Sequence, residues 1–207
     1  MDADDWNDRY SGDDLVWGVR ANQFLVEHAT PLDPGVAIDV ACGEGRNAVW
    51  LAQQGWRVFG FDFASKAIDV ARRLAEHHSV TDTTEFTVGD ALTWHGPIDA
   101  DLVAVIYLQL PVAERTIAME RHVGALAPGG RFLFVGHDAS NIEHGYGGPQ
   151  SPDVLASPDE YAAQLTTAAA RVGVTIDVER AEVVPRTVDT DDGPRTALDT
   201  LVRAIRA

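Results

Sequence analysis

The sequence is poor in the residue types that cross-links, metal sites and membrane insertion require. Cys42 is the only cysteine, which excludes an internal disulfide, and no CxxC motif or Cys/His cluster predicts a zinc site. No apolar run approaches the ~18 residues of a membrane-spanning helix, and the longest candidate, Leu102–Leu108, has the length of a strand. We therefore expect a soluble protein without a bound metal.

Positive charge is also scarce. Arg and Lys together number 16 against 32 acidic residues, and the formal net charge is −16. Phosphate backbones and anionic membrane surfaces both need a cationic patch, so we predict neither a nucleic-acid nor a membrane partner. The first ten residues, MDADDWNDRY, are acidic and have no apolar core, which is not the pattern of a signal peptide. We expect a cytoplasmic protein.

Short apolar runs alternate with helical patterns over the first two thirds of the chain. Helices are predicted for residues 46–54, 65–77 (with Ser65 as its N-cap) and 113–126. Continuous apolar strands separated by helices are typical of a parallel sheet covered on both faces. Five strands are predicted, the last entered through the turn Pro128-Gly129-Gly130: Val36–Val40, Trp56–Phe61, Glu85–Val88, Leu102–Leu108 and Arg131–Val135.

The pattern changes near residue 137. Residues 137–160 are rich in Gly, Pro, Asp and Ser, which predicts a functional loop on the substrate side. A helix over residues 161–171 precedes two strand-like runs, residues 175–184 and 197–205, and two strands joined by a turn pair antiparallel. We therefore predict one α/β domain over residues 1–207, a Rossmann-like doubly wound sheet of five parallel strands with a C-terminal antiparallel hairpin.

A glycine loop between the first strand and the first helix is the most informative segment. It contains Gly43 and Gly45, and the helix begins at Arg46. Glycine suits a backbone that turns tightly and approaches a ligand, and the helix directs free N–H groups at whatever lies over the turn. Asp62 follows 19 residues after Gly43, at the end of the second strand. This spacing favours a carboxylate that binds both ribose hydroxyls, although an Asp that merely caps the next helix is the alternative.

The same loop, Gly43-x-Gly45-x-x-Ala48, also fits a dinucleotide fingerprint. An NAD(P)-dependent oxidoreductase therefore remains an alternative, although its usual substrate domain has little room in 207 residues. Gly89-Asp90-Ala91, after the third strand, supplies a second carboxylate where an adenine amino group can donate a hydrogen bond. This carboxylate and the antiparallel hairpin argue against a plain dinucleotide domain.

These segments in this order resemble the class I S-adenosylmethionine-dependent methyltransferases, and within them the small bacterial group related to tellurite-resistance and thiopurine methyltransferases. The matching segments are residues 39–46, Asp62, Gly89-Asp90 and the Pro-Gly-Gly turn. The resemblance implies a seventh strand between the fifth and sixth, and S-adenosylmethionine as cofactor. It also implies a set of cofactor-binding residues: Trp17, Asp39, Ala41, Cys42, Gly43, Gly45, Arg46, Asp62, Phe63, Asp90, Ala91 and Tyr107.

Within this set the resemblance implies separate roles. The loop from Asp39 to Gly45 surrounds the methionine part, and Asp62 holds the ribose. Phe63 packs on the adenine, whose edge Asp90 and Ala91 meet. Arg46 either reaches the cofactor carboxylate or only starts the helix. Cys42 is interpreted as a packing residue, since nothing cationic nearby would activate its thiol.

The methyl acceptor is predicted to be a small molecule bordered by three segments. Residues 1–30 form an aromatic lid or cap, although packing on the sheet edge is an equal alternative for Trp6 and Tyr10. Gln109, after the fourth strand, stands where relatives often have His, and glutamine cannot act as a base. A cofactor-binding protein without turnover is therefore a third hypothesis.

The candidate catalytic residues, assigned mainly positioning roles, are Tyr107, His137 and Asp138. A His–Asp pair can serve as a base, but adjacent strand residues point to opposite faces, so only one is expected to face the acceptor. A histidine satisfied by a backbone carbonyl is the alternative for His137. A metal bound by His137, Asp138 and His144 has no diagnostic spacing to support it.

Overall fold

The computed structural model describes residues 3–12, 16, 18, 20–96 and 98–207. The chain divides into two compact units, Met1–Ile106 and Tyr107–Ala207, and the interpretation of residues 1–207 as one domain stays a prediction. The described helices are α1 Ala3–Arg9, α2 Gln23–Ala29, α3 Arg46–Gln53, α4 Ser65–His77, α5 Val112–Gly124, α6 Asn141–His144 and α7 Pro158–Arg171. The strands are β1 Val36–Val40, β2 Arg57–Asp62, β3 Thr84–Val88, β4 Ala100–Ile106, β5 Leu126–His137, β6 Ile176–Val188 and β7 Arg195–Arg206.

The first unit contains the parallel strands. β1 pairs in parallel with β2 and β4, and β2 pairs in parallel with β3. Ile38 lies at the centre, opposite Phe59 on one side and Val103 on the other. Every residue of β1 after the first is buried, as expected of a strand covered on both faces.

Two helices of the first unit carry the chain away from the carboxyl ends of β1 and β2. Gly45 is the N-cap of α3, with φ +80°. A side chain there would also collide with α4, since a Cβ would lie 2.7 Å from the Cβ of Ala71. The predicted N-cap of α4 is wrong by one residue, because Ala64 is the cap and Ser65 the first helical residue. The Asn7 Oδ1 atom supplies the missing acceptor by bonding the Lys66 amide at 3.0 Å.

The second unit is dominated by antiparallel pairing of β5 with β7 and of β7 with β6, which confirms the predicted hairpin. The fifth strand begins earlier than predicted, because residues 128–130 lie within β5 rather than before it. Gly129 takes φ +80° there, so the local turn occurs inside the strand. Residues 137–160 are less irregular than predicted, since they contain α6 and a 3-10 turn at Pro152–Val154.

The strand order of the seven-stranded sheet is β3-β2-β1-β4-β5-β7-β6. The last strand of the chain thus lies between the fifth and sixth, as predicted. This order and the antiparallel hairpin confirm the predicted α/β fold class. Among the described residues, none of the helices has the length and apolar character needed to cross a membrane.

Candidate active site

The glycine loop of the first unit is held in a strained conformation. Ala41 adopts φ +54°, which a residue with a Cβ seldom does, and Gly43 and Gly45 take φ +53° and +80°. The Cys42 amide donates to the Phe61 carbonyl oxygen at 2.9 Å, which ties the loop to the end of β2. Such backbone strain tends to persist where a site requires it.

Asp62 connects the loop to the start of α4. Its Oδ2 atom accepts from the Gly43 amide and its Oδ1 atom from the Ala64 amide, each at 2.9 Å. Burial raises the pKa of Asp62, and these amide hydrogen bonds oppose the rise. Asp62 therefore bonds the residue before α4, as a capping residue would, but its other oxygen also holds the glycine loop through Gly43.

Asp39 is a buried carboxylate close to the guanidinium of Arg46. Its side chain is 1% exposed, and its Oδ2 atom has no hydrogen-bond donor among the described residues. Burial raises the pKa of Asp39 to about 7, and the neighbouring Arg46 guanidinium and the Ala48 amide only partly oppose this. A buried carboxylate oxygen without a donor fits a cationic ligand group. S-adenosylmethionine carries such a group in its α-amine, so the chemistry of this site fits the predicted cofactor.

Of the other predicted cofactor residues in the first unit, some are exposed and some are buried. Phe63 is exposed, Asp90 is exposed and bonds the Leu92 amide through Oδ1 at 2.7 Å, and Ala91 is buried. Burial raises the pKa of the Cys42 thiol, which favours its neutral form and agrees with a packing role.

The N-terminal segment is attached to the glycine loop and to α4. The Val16 amide donates to Glu44 Oε1 at 3.2 Å, and the Asn22 amide donates to Asn47 Oδ1 at 2.9 Å. Tyr10 is buried against α4, and its ring stacks on Trp6 with the centroids 5.5 Å apart. Trp17 lies outside the described residues.

In the second unit, the three predicted residues do not form one cluster. Tyr107 follows β4 with φ +61°, and its hydroxyl donates to Asp199 Oδ2 at 2.7 Å. His137 ends β5, and its ring centroid lies 5.1 Å from that of Tyr107. The Nδ1 atom of His137 lies 3.2 Å from Asp199 Oδ1. The carboxylate beside His137 is thus Asp199.

Asp138 belongs to a different group, because the next residue of the chain points away from His137. Its Oδ1 atom accepts from the amide and hydroxyl of Ser140 at 2.8 and 2.5 Å, and Oδ2 accepts from the Thr200 hydroxyl at 2.7 Å. These bonds hold the turn after β5. The His137–Asp138 pair considered from the sequence is therefore not formed.

Gln109 and Gly148 also lie against His137. The Gln109 Nε2 atom donates to the His137 carbonyl oxygen at 3.3 Å. Gly148 packs on the imidazole, since a Cβ there would lie 2.6 Å from Cδ2 and 2.8 Å from Nε2. His144 is 68% exposed on α6, beside Glu143.

Sequence reasoning missed Asp199 and Arg186. Arg186 Nε donates to Asp199 Oδ2 at 2.7 Å, and its guanidinium lies 5.4 Å from the Tyr107 ring centroid. One signal was available, because Asp199 is a carboxylate inside an apolar run that was assigned to a strand. A charged residue in such a position needs a partner.

The chain is similar to known methyltransferases in sequence. Residues 37–130 match the family described as "Methyltransferase domain". The 2-heptyl-1-hydroxyquinolin-4(1H)-one methyltransferase of Mycobacteroides abscessus is 28% identical over 118 residues, covering 56% of this chain and 52% of that protein. Thiopurine S-methyltransferase of Pseudomonas fluorescens is 27% identical over 154 residues, covering 63% and 67%. The chain thus spans about half the length of the first relative and two thirds of the second.

The fold has solved counterparts as well. The N-methyltransferase NodS of Bradyrhizobium japonicum, in complex with S-adenosyl-L-homocysteine, superposes with a TM-score of 0.70 at 16% identity, covering 99% of this chain and 97% of that one. The family match over residues 37–130, the relatives and the fold agree with the prediction of a class I S-adenosylmethionine-dependent methyltransferase. The cofactor of this class is S-adenosylmethionine.

Proposed function

We propose that this protein transfers a methyl group from S-adenosylmethionine to a small-molecule acceptor. The observation that carries the proposal is Asp39: its buried Oδ2 atom has no hydrogen-bond donor in the described part of the chain, and the half-buried cation of Arg46 lies near it. An amino acid presents one cationic and one anionic group, which this pair complements. Asp39 binds the α-amine of the methionine part, and Arg46 binds its carboxylate.

Successive segments of the first unit are assigned to the other parts of the cofactor. The backbone from Ala41 to Gly45 borders the methionine part, Asp62 accepts from the ribose hydroxyls, and Phe63 packs on the adenine. Asp62 already accepts bonds from the Gly43, Ala64 and Phe63 amides, but a carboxylate has about four acceptor positions, which leaves one for a hydroxyl. Asp90 and Ala91 meet the adenine edge. We assign Cys42 to the border of the same site.

The second unit supplies the acceptor side. The bound cofactor provides an electrophilic methyl group on a sulfonium, and in-line displacement then requires the acceptor to be held at near-attack distance in a dry pocket. Tyr107 and His137 border the acceptor, while Asp138 holds the turn that follows His137. Two observations favour a small molecule: the net charge of −16 disfavours nucleic acids, and the relatives' names give a quinolone and thiopurines as substrates.

The N-terminal residues serve as a cover of the cofactor. Val16 and Asn22 bond side chains of residues 44–47, and Asn7 bonds the first turn of α4. These contacts hold the segment against both elements that begin the cofactor site. Residues 1–30 thus act as a lid, and residues 137–160 as the acceptor-side loop.

Calorimetric titration tests the cofactor assignment directly. S-adenosylmethionine and S-adenosylhomocysteine should each bind at one site, and Asp39→Asn should weaken both by about tenfold or more, because an amine loses its charged partner. NADH serves as the competing ligand, and its binding would favour the oxidoreductase alternative. Failure of both methionine-derived ligands to bind would overturn the proposal.

A further inference from the structure

Asp199 is the most completely buried charged side chain of the second unit's site. Its side chain is 0% exposed, yet three donor groups from three other chain segments converge on it. The Tyr107 hydroxyl and Arg186 Nε both donate to Oδ2, while His137 Nδ1 lies beside Oδ1. Burial opposes ionisation, but the bonds from His137, Arg186 and Tyr107 hold the pKa of Asp199 below its usual value.

The sheet register fixes this cluster. Asp199 on β7 lies directly opposite His137 on β5 and opposite Val184 on β6. Residues opposite each other in antiparallel strands share a face, and Arg186 is two residues beyond Val184 on that same face. The positions of the carboxylate, the imidazole and the guanidinium are thus consequences of strand pairing rather than of a flexible loop.

The bonding pattern selects one tautomer of the imidazole. Both other donors occupy Oδ2, so Oδ1 is the oxygen available to His137. His137 Nδ1 and Asp199 Oδ1 each lack a hydrogen-bond partner of good geometry among the described residues, and they lie 3.2 Å from each other, so each is the polar group that the other can bond. A carboxylate can only accept, so the neutral imidazole must carry its proton on Nδ1. Its Nε2 atom is then left with a lone pair.

We propose that Asp199 is a positioning residue that holds His137 as a general base, and that the acceptor is a hydroxyl compound, methylated on oxygen. The proposal rests on the proposed function, since it requires a methyl donor. The Arg186 guanidinium and the Tyr107 hydroxyl bond Asp199 rather than the reacting oxygen of the acceptor. Arg186 neutralises the buried carboxylate, and together with Tyr107 it fixes which carboxylate oxygen faces the imidazole.

The proton and electron balance of the step is complete with these groups. The acceptor oxygen forms a bond to the methyl carbon while the methyl–sulfur bond breaks, leaving its electron pair on sulfur. The acceptor O–H proton moves to Nε2 of His137. The positive charge that was on the sulfonium therefore ends on an imidazolium beside Asp199, and this proton then passes to solvent.

An oxygen acceptor explains why the chain builds such a cluster. A hydroxyl is a weak nucleophile until its proton leaves, so a base contributes to its methylation. A thiol ionises near neutral pH and is strongly nucleophilic without help. A sulfur acceptor would leave a buried aspartate with three assembled donors without a chemical role.

Nuclear magnetic resonance of the wild-type protein tests the positioning without any acceptor. Long-range proton–nitrogen correlations of ¹⁵N-histidine-labelled protein, saturated with S-adenosylhomocysteine at about pH 8.5 and assigned with His137→Gln, report the tautomer of the neutral ring. We expect a protonated Nδ1 and an unprotonated Nε2. A protonated Nε2 in the wild-type protein would overturn the proposal, with no variant required.

Asp199→Asn should give the opposite tautomer of His137, because the amide presents a donor where the carboxylate presented an acceptor. Tyr107 and Arg186 still require an acceptor, so the amide oxygen takes the Oδ2 position and the NH₂ group faces His137 Nδ1. The imidazole must then accept at Nδ1 and carry its proton on Nε2. The matched control is Asp138→Asn, a neighbouring buried carboxylate bonded to Ser140 and Thr200, which should leave the His137 tautomer unchanged. Inversion by the control, or none in a folded Asp199→Asn protein, would contradict the proposal.

The acceptor class is tested with a panel of phenols and aliphatic alcohols and the thiols matched to them. We expect methyl transfer to at least one hydroxyl compound, lowered about 100-fold or more in kcat by His137→Gln and by Asp199→Asn, with KM changed much less. Transfer to thiols only, to no hydroxyl compound, or without dependence on His137 would overturn the assignment. Calorimetry with S-adenosylhomocysteine separates this failure from failure of the proposed function, because cofactor binding does not involve His137.

Discussion

The Gly43 amide donates to Asp62 Oδ2 at 2.9 Å, and this hydrogen bond adds a side-chain link to the backbone bond that joins the glycine loop after β1 to the carboxyl end of β2. The other oxygen of the same carboxylate bonds the Ala64 amide before α4. Asp62 is buried, so both amides depend on it rather than on water. The residue assigned to the ribose thus also stabilises the loop that would receive the rest of the cofactor.

Asp62→Ala should therefore lose stability and affinity together. Two buried amides lose their acceptor, which lowers the free energy of unfolding by at least about 1–3 kcal/mol in the absence of any ligand. Loss of the ribose hydrogen bonds weakens S-adenosylhomocysteine binding by a further ~1.5–3 kcal/mol. Urea denaturation and calorimetric titration measure the two effects.

Asp90→Ala is the matched control for this prediction. Asp90 is exposed and bonds the nearby Leu92 amide, so the free energy of unfolding should change by less than about 1 kcal/mol. The affinity of the Asp90→Ala protein for S-adenosylhomocysteine should still fall if the Asp90 side chain contacts the adenine. Wild-type stability in Asp62→Ala would contradict the bridging role of Asp62.

Asp39 predicts a pH dependence of stability whose sign follows from its burial. Burial raises the pKa of Asp39 from 3.8 to about 7 in the folded protein, so between these values the folded chain keeps a proton that the unfolded chain has lost. The stability contributed by this proton is fully present below 3.8 and is lost as pH rises through about 7. Relative to Asp39→Asn, the wild-type free energy of unfolding should fall over this range by up to about 1.4 kcal/mol per pH unit.

Urea denaturation of both proteins at a series of pH values measures this difference. Proton release on ligand binding is a second test of Asp39, because a bound α-amine favours the ionised carboxylate. S-adenosylhomocysteine binding at about pH 6 should then release a proton from the wild-type protein and less from Asp39→Asn. Calorimetry in two buffers of different ionisation enthalpy detects the release. Identical proton release in the two proteins would count against Asp39 as the amine partner.

Asn7 predicts a contribution of the N-terminal helix to the stability of α4. Its Oδ1 atom accepts from the Lys66 amide at 3.0 Å, in place of the side-chain cap that Ala64 cannot supply. Asn7→Ala should lower the free energy of unfolding by about 0.5–2 kcal/mol, the usual cost of losing an N-cap. Asn7→Asp keeps an acceptor oxygen at a helix N-terminus and should retain wild-type stability. Equal urea midpoints for the Ala and Asp variants would show that the contact does not stabilise the fold.

The parts of the fold that depend on local sequence were predicted well. β1 has the predicted bounds, because an apolar run between a Pro-Gly turn and the glycine loop needs no distant information. The antiparallel hairpin followed from two apolar runs around Asp191-Asp192-Gly193-Pro194. Residues 128–130 were wrongly placed in a turn, because Gly129 satisfies its positive φ within a strand whose extent depends on its partners.

The cluster around Asp199 depends on long-range strand pairing. The sequence therefore predicted Tyr107 and His137 but not Asp199 and Arg186. His137 and Asp199 are 62 positions apart and meet only because β7 runs antiparallel to β5 in one particular register. A shift of one residue would turn Asp199 to the opposite face. The sequence therefore indicated His137 and Tyr107 as ends of strands, but it offered only the adjacent Asp138 as a partner, and that carboxylate lies with Thr200 instead.

Gly147 and Gly148 offer a controlled test of how closely the acceptor-side loop packs on His137. Both have positive φ, +72° and +75°, so an alanine at either position carries similar backbone strain. Only at Gly148 would the added Cβ collide with the imidazole, at 2.6 Å from Cδ2, whereas at Gly147 nothing lies within 4 Å. Gly148→Ala should therefore displace the ring from Asp199, shift the His137 resonances and lower kcat. Gly147→Ala should lose similar stability, about 1 kcal/mol, with the His137 resonances unchanged. If the two variants perturb His137 equally, its position depends on loop strain and not on direct contact with Gly148.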